Sequence, residues 1–134
     1  MRLRNWDVRL FHWADTVVGE PFKWGVTDCA TLVTAAHVVM YGVDVFKWPT
    51  YKSLKGAMTA KAKVGGIRKA LKKDCTQVGI KFARTGDIVL IKHEGEDGMG
   101  VVVGMNVVGA YPGYPVTLVP LSALPSNATV WRAA

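Results

Sequence analysis

The spacing of apolar positions changes near the middle of the chain. In the first half, apolar residues recur every three or four positions, which is the spacing of amphipathic helices. This predicts helices over 5–18, 28–41, 51–64 and 67–74. After Gly79 the spacing becomes two, or gives way to continuous apolar runs, as is typical of strands. Helices followed by strands predict an α+β fold.

The second half reads as a series of short strands. We predict strands over 87–92, 99–104, 107–111, 116–119 and 129–132, with the polar stretch 94–98 as a hairpin loop. Prolines between the later strands keep each of them short. Splitting 134 residues would leave two pieces too small to bury a core of their own, so we expect a single domain over 1–134.

Composition and cysteine usage limit the chemistry. Half of the residues are apolar, enough for the chain to fold without metals or cross-links. Two cysteines, Cys29 and Cys75, make a disulfide framework improbable. Neither has a second cysteine or a histidine at metal-ligand spacing, so we expect no metal and no cofactor.

The N-terminal segment and the hydropathy pattern bear on location. Residues 1–7 lack the apolar stretch of a signal peptide. No apolar run approaches the roughly 20 residues that a membrane-spanning helix needs. We therefore expect no membrane span and a reducing compartment.

Basic residues outnumber acidic ones, 17 to 10, giving a net charge of +7. This excess raises the question of nucleic-acid binding, because phosphate contacts supply most non-specific affinity. Aromatic residues that could stack on bases are scarce among the clustered lysines and arginines. We interpret the cluster as a solvated face, or one that meets an acidic partner, and consider nucleic acid an unlikely partner. The cluster consists of Lys52, Lys55, Lys61, Lys63, Arg68, Lys69, Lys72, Lys73, Lys81 and Arg84.

Cys29 is the residue with the clearest chemical potential. It lies in the first turn of a predicted helix, where the helix dipole and unpaired N–H groups favour a thiolate. We therefore predict a lowered pKa and a competent nucleophile, with the same N–H groups able to stabilise an oxyanion. The alternative is a small buried apolar residue. Cys75 ends a lysine-rich helix and is interpreted as structural.

A cysteine nucleophile needs a base, and the chain has three histidines. His37 lies eight residues after Cys29 on the same helix, about 12 Å along its axis, and is too far away. His12 lies on the first helix, most simply on its polar face. His93 ends the first strand of the hairpin, and its side chain could face the helix or water. His93 is the remaining candidate base.

Three segments resemble the NlpC/P60 family of cysteine peptidases. In that family an aromatic-Trp-Gly lead-in and an Asp-Cys pair open the central helix, and a Gly-Asp strand and a Gly-apolar-Gly strand follow. The closing Val-Trp-Arg resembles short NlpC/P60-like proteins encoded beside tail genes of long-tailed bacteriophages. The segments that match the family are 22–29, 86–90 and 100–104, the segment that matches the phage-associated proteins is 130–132, and the likeness covers nearly the whole chain.

The resemblance implies a papain-like fold with Cys29 at the start of the central helix, packed on a C-terminal antiparallel sheet. The family's catalytic histidine corresponds to Gly98, and its third polar residue to Gly109. Neither glycine has a side chain that could act. The resemblance therefore implies a degenerate peptidase site in which Cys29 is vestigial, unless His93 replaces the base from the neighbouring strand.

From this resemblance we expect a structural or assembly protein of a phage tail tip. Its partners would be other tail proteins, and it would be located in the virion after assembly in the host cytoplasm. Trp48, beside a proline, is a candidate anchor for a partner, with core packing as the alternative. The alternative function is an active cysteine hydrolase that cleaves peptidoglycan crosslinks during entry, with Cys29 as nucleophile and His93 as base.

Overall fold

The computed structural model describes residues 1–133. Within these residues, four helices come first and a six-stranded antiparallel sheet follows, which confirms the predicted α+β fold. The helices are α1 (Trp6–Val17), α2 (Cys29–Tyr41), α3 (Leu54–Val64) and α4 (Ile67–Asp74). The strands are β1 (Cys75–Val78), β2 (Ile88–His93), β3 (Glu96–Val103), β4 (Asn106–Gly109), β5 (Thr117–Pro120) and β6 (Thr129–Ala133).

The strands lie in the order β1-β6-β2-β3-β4-β5, and each hydrogen-bonded pair is antiparallel. Helix α2 packs on β3 at the centre of the sheet and also against α1. Because side chains alternate along a strand, the two faces carry different apolar clusters. The face under α2 holds Ile88, Leu90, Met99 and Val101, and the opposite face holds Val89, Val102, Val107 and Val130.

Three differences from the prediction have a clear structural reason, and several other boundaries shift by one or two residues. Helix α3 begins at Leu54 rather than residue 51, because the Ser53 hydroxyl caps it by accepting a hydrogen bond from the Gly56 N–H (3.0 Å). Strand β1 was missed, because it has four residues and follows α4 without a turn. The polar loop is shorter than predicted, since β2 and β3 extend to a two-residue turn at 94–95.

An ion pair links β6 to the segment just before β2. Asp87, fully buried before β2, accepts two hydrogen bonds of 2.8 Å from the Arg132 guanidinium on β6. Its carboxylate also accepts the Arg84 N–H at 2.8 Å. The pair thus joins the Gly-Asp segment before β2 to the Trp-Arg segment of the neighbouring strand β6.

Among the described residues, no helix has both the length and the apolar character needed to cross a membrane.

Candidate functional site

Cys29 is the first residue of α2, as the sequence predicts. Asp28 precedes it as the N-cap, and its carboxylate accepts the Thr31 N–H at 3.2 Å. The Cys29 side chain is partly buried and packs against the cluster under α2. The backbone of Met99, on β3, lies close enough to the sulfur to influence the pKa of the thiol. The thiol therefore lies between the start of the central helix and the middle of the sheet.

Asp28 is almost fully buried and is held by more than the helix cap. Its carboxylate accepts hydrogen bonds from the Gly25 N–H (2.6 Å), the Thr31 hydroxyl (2.8 Å) and the Tyr51 hydroxyl. Burial and the neighbouring carboxylate raise the pKa of Tyr51, so its hydroxyl stays a donor. Tyr51, which the apolar spacing predicts to lie on a helix, lies before α3, and its contact with Asp28 was not predicted. The Asp-Cys pair is thus the centre of a network that fixes the lead-in loop to the helix.

The predicted lowering of the Cys29 pKa is wrong in direction. Burial raises the pKa of this thiol, and the adjacent Asp28 carboxylate adds to the increase. The N–H groups of Met99, Ala30 and Cys29 itself act in the opposite sense, as the helix-terminus argument assumed. Their effect is smaller than that of desolvation, which disfavours the charged form. The thiol is therefore neutral at neutral pH.

The structure does not bring His93 and Cys29 together. The sulfur lies beside Met99, which is paired with Leu90, and His93 follows Leu90 by three residues, about 10 Å along the strand. His93 also shares the parity of Val89, which faces away from α2. Its ring contacts Tyr111 instead, with centroids 5.0 Å apart.

Gly98 and Gly109 leave open space on the face of the sheet that carries Ile91 and Val107, opposite α2. Gly98 directly precedes Met99, and a Cβ added there would meet only the Ile91 side chain, at 3.8 Å. A Cβ added at Gly109 would meet no atom within 4 Å. Among the described residues, nothing fills the two positions that the family resemblance assigns to the base and its orienting partner.

The other histidines and Cys75 lie elsewhere. His12 is exposed on α1, and His37 is fully buried in α2. Cys75 is buried at the start of β1, and burial together with Asp74 raises its pKa to about 12. Within residues 1–133, no group of three or more His, Cys, Asp or Glu side chains is placed to hold a metal ion.

The Trp48 side chain makes contacts within the chain. Its ring stacks on Phe46 with centroids 4.4 Å apart, and its indole N–H donates to the Asp74 carboxylate at 2.8 Å. It also packs against the main apolar cluster. The structure therefore supports the interpretation of Trp48 as core packing, and its role as an anchor for a partner stays a prediction.

The ten clustered basic residues are all exposed. Two of them form surface ion pairs with the β2–β3 hairpin: Lys61 with Glu96 (3.5 Å) and Arg68 with Asp97 (3.3 Å). Exposed pairs of this kind contribute about 0–1 kcal/mol each. Most of the positive charge thus faces solvent, in agreement with the solvated face that the sequence predicts.

Comparison of the sequence with known protein families gives one match. The model of a family described as a domain of unknown function, DUF6950, matches residues 1–133. No curated protein matches the chain.

Two solved structures are similar in fold. One is RipD of Mycobacterium tuberculosis, described as a non-catalytic NlpC/p60 domain protein with an adaptation to peptidoglycan-binding function. It is 15% identical, with a TM-score of 0.50 over 96% of this chain and 96% of RipD. A mutated form of RipA, a resuscitation promoting factor interacting protein, is 14% identical, with a TM-score of 0.52. That match covers 97% of this chain but 62% of RipA, less than two thirds of its length. At these identities the likeness shows the fold, which is NlpC/P60-like.

Proposed function

The chain belongs to the DUF6950 family, and from this membership and its NlpC/P60-like fold we propose that it acts by binding rather than by hydrolysis. Specifically, we propose a structural or assembly component of a bacteriophage tail tip, built on a degenerate peptidase site. The phage context rests on the resemblance of the chain, including Val130-Trp131-Arg132, to tail-associated NlpC/P60-like proteins.

The observation that carries the loss of hydrolysis is the state of the Cys29 sulfur. A cysteine peptidase needs a thiolate and an imidazole within about 3 Å to take its proton. Here burial raises the pKa of the thiol, and the two expected side-chain positions are Gly98 and Gly109. His93 is directed towards Tyr111. In this proposal the site lacks both the thiolate and the imidazole base, although the peptidase-like fold is kept.

The binding role is supported by the surface. Ten basic side chains point to solvent in and around α3 and α4 and meet few acidic partners of their own. A face of this charge is complementary to acidic subunits, and such complementarity speeds and orients association. We propose that other tail proteins contact the domain there.

The test is complementation of a phage that lacks this gene. We expect Cys29→Ala to support plaque formation within about twofold of wild type, and the protein to be found in purified tails. A variant that is incorporated normally but loses most plaques would refute the proposal and favour the hydrolase with Cys29 as nucleophile. His93→Ala serves as a second arm: an active Cys29–His93 pair predicts loss in both variants, whereas loss with His93→Ala alone would not indicate hydrolysis.

A second candidate function is peptidoglycan binding without cleavage. The description of RipD favours it, since that protein combines a non-catalytic NlpC/p60 domain with peptidoglycan binding. Co-sedimentation with purified sacculi distinguishes the two. Saturable binding by both wild type and Cys29→Ala, without release of peptides, would support peptidoglycan as the partner. Absence of sedimentation would leave tail proteins as the partners.

A further inference from the structure

Four polar and aromatic side chains meet at one corner of the sheet, away from the Cys29 sulfur. His93 and Glu94 lie at the end of β2, and Tyr111 and Tyr114 lie in the loop after β4. The His93 and Tyr111 rings meet edge to face at 90°, and the Tyr111 and Tyr114 rings are 6.0 Å apart at 48°. We call these four residues the aromatic corner.

The aromatic corner is open to solvent. Tyr114 is 63% exposed, and the side chains of His93 and Glu94 are 57% and 75% exposed. None of the four belongs to the two apolar clusters of the sheet. Gly109, directly before this loop, leaves further space, since a Cβ there would meet nothing within 4 Å. The rings are therefore available to a partner.

Glu94 occupies a backbone conformation that suits other residues better. Its φ is 51° and that of Gly95 is 81°, so both turn residues are left-handed. A two-residue hairpin turn of this type favours Asn, Asp or Gly at its first position. A left-handed glutamate costs roughly 1 kcal/mol relative to such a residue. Strain of this kind is a reason to look for a role of the side chain.

The carboxylate of Glu94 is only weakly engaged within the chain. It lies 3.4 Å from the Tyr111 hydroxyl and 3.9 Å from the His93 ring. The next acidic residue, Glu96, makes the exposed pair with Lys61. Both carboxylates can therefore accept new charged partners at little cost.

We propose that the aromatic corner binds a cationic side chain, lysine or arginine, of a partner protein. Aromatic faces carry negative potential and attract cations within about 6 Å of the ring centroid. The Tyr111 and Tyr114 rings are set at 48° with centroids 6.0 Å apart, and Glu94 supplies the opposite charge beside Tyr111. A guanidinium or ammonium group fits both features, whereas an acidic ligand would be repelled by Glu94 and Glu96. This inference does not depend on whether the Cys29 site is active, because the aromatic corner lies away from the Cys29 sulfur.

The experiment is a two-dimensional amide NMR titration of the full chain with N-acetyl-arginine amide. N-acetyl-citrulline amide, a neutral isostere, and sodium chloride at equal ionic strength are the reference ligands. We expect saturable shifts at residues 93–96 and 111–114 with the arginine probe, and at least fivefold weaker binding of the citrulline probe.

Variants test the contribution of each group. Tyr111→Leu and Glu94→Gln should each weaken binding of the arginine probe by about threefold or more, whereas Tyr111→Phe, which keeps the ring, should weaken it less. Asp15→Asn removes one exposed charge from α1 and should leave binding unchanged. Equal affinity for the citrulline probe would overturn the proposal. So would preferential binding of a neutral saccharide such as N-acetylglucosamine at the same residues.

Discussion

Acidification should destabilise the folded chain through one buried imidazole. His37 is fully buried in α2, and its Nδ1–H donates to the Val33 carbonyl at 2.8 Å. The Phe46 ring lies 4.6 Å from it. Its Nε2 atom is buried without a hydrogen-bond partner. Protonation would therefore place an unpaired N–H and a positive charge among apolar side chains.

The size of the effect follows from proton linkage. Burial lowers the pKa of His37 from 6.5 to about 4 in the folded state. The unfolded chain thus binds more protons between these values, so stability is complete above pH 6.5 and falls as the pH drops towards 4. Relative to pH 7.5, the loss is about 2 kcal/mol at pH 5 and about 3 kcal/mol at pH 4.

The assay is urea denaturation followed by tryptophan fluorescence at pH 5 and pH 7.5. Wild type is compared with variants, because the contribution of carboxylates that titrate in the same range is the same in each and cancels. Between pH 7.5 and pH 5, the free energy of unfolding of His37→Leu should fall by about 2 kcal/mol less than that of wild type. His12→Leu, at an exposed position of α1, is the matched control and should change by less than about 0.5 kcal/mol. Wild type and His37→Leu with the same pH dependence would refute the reasoning.

Three further predictions concern packing, the buried ion pair and the thiol. Gly100→Ala should cost about 2 kcal/mol or more in urea denaturation, because its Cβ would lie 2.5 Å from a valine methyl group and 2.9 Å from a carbonyl oxygen of β4. Gly98→Ala, with open space around its Cβ, should be neutral or slightly stabilising, and equal costs at the two positions would contradict the strand packing. Arg132→Met should destabilise the fold by about 3–5 kcal/mol, since it leaves the Asp87 carboxylate buried without its cation. Adding Asp87→Asn to this variant should recover part of the loss, as a double-mutant cycle would measure. Cys29 should react with a thiol reagent at pH 7 at least tenfold more slowly than a free thiol and accelerate above pH 9, so fast labelling at pH 7 would show that burial does not control its pKa.

The sequence predicted the architecture well because the apolar spacing is strong in both halves. The helices around Cys29 and Ile67 and the strand that begins near Ile88 were located to within one residue, since an N-cap, a glycine stop or a change of spacing marks each of them. Strand β1 carries no such signal, because four residues are too few to show a spacing. Its place at the edge of the sheet depends on pairing with β6, far away in sequence.

Some features of the candidate site also follow from the sequence, whereas others depend on the tertiary structure. That a cysteine opens the central helix was determined by the order of residues alone, whereas the assignment of Gly98 and Gly109 to catalytic positions rests on the resemblance. Whether the thiol ionises was decided by tertiary structure, because burial depends on which strand packs over the sulfur. The direction of His93 was likewise decided by strand parity and register, which set the face on which each side chain lies. Local spacing is encoded within a few neighbouring residues, whereas burial and cross-strand contacts arise only when distant segments meet.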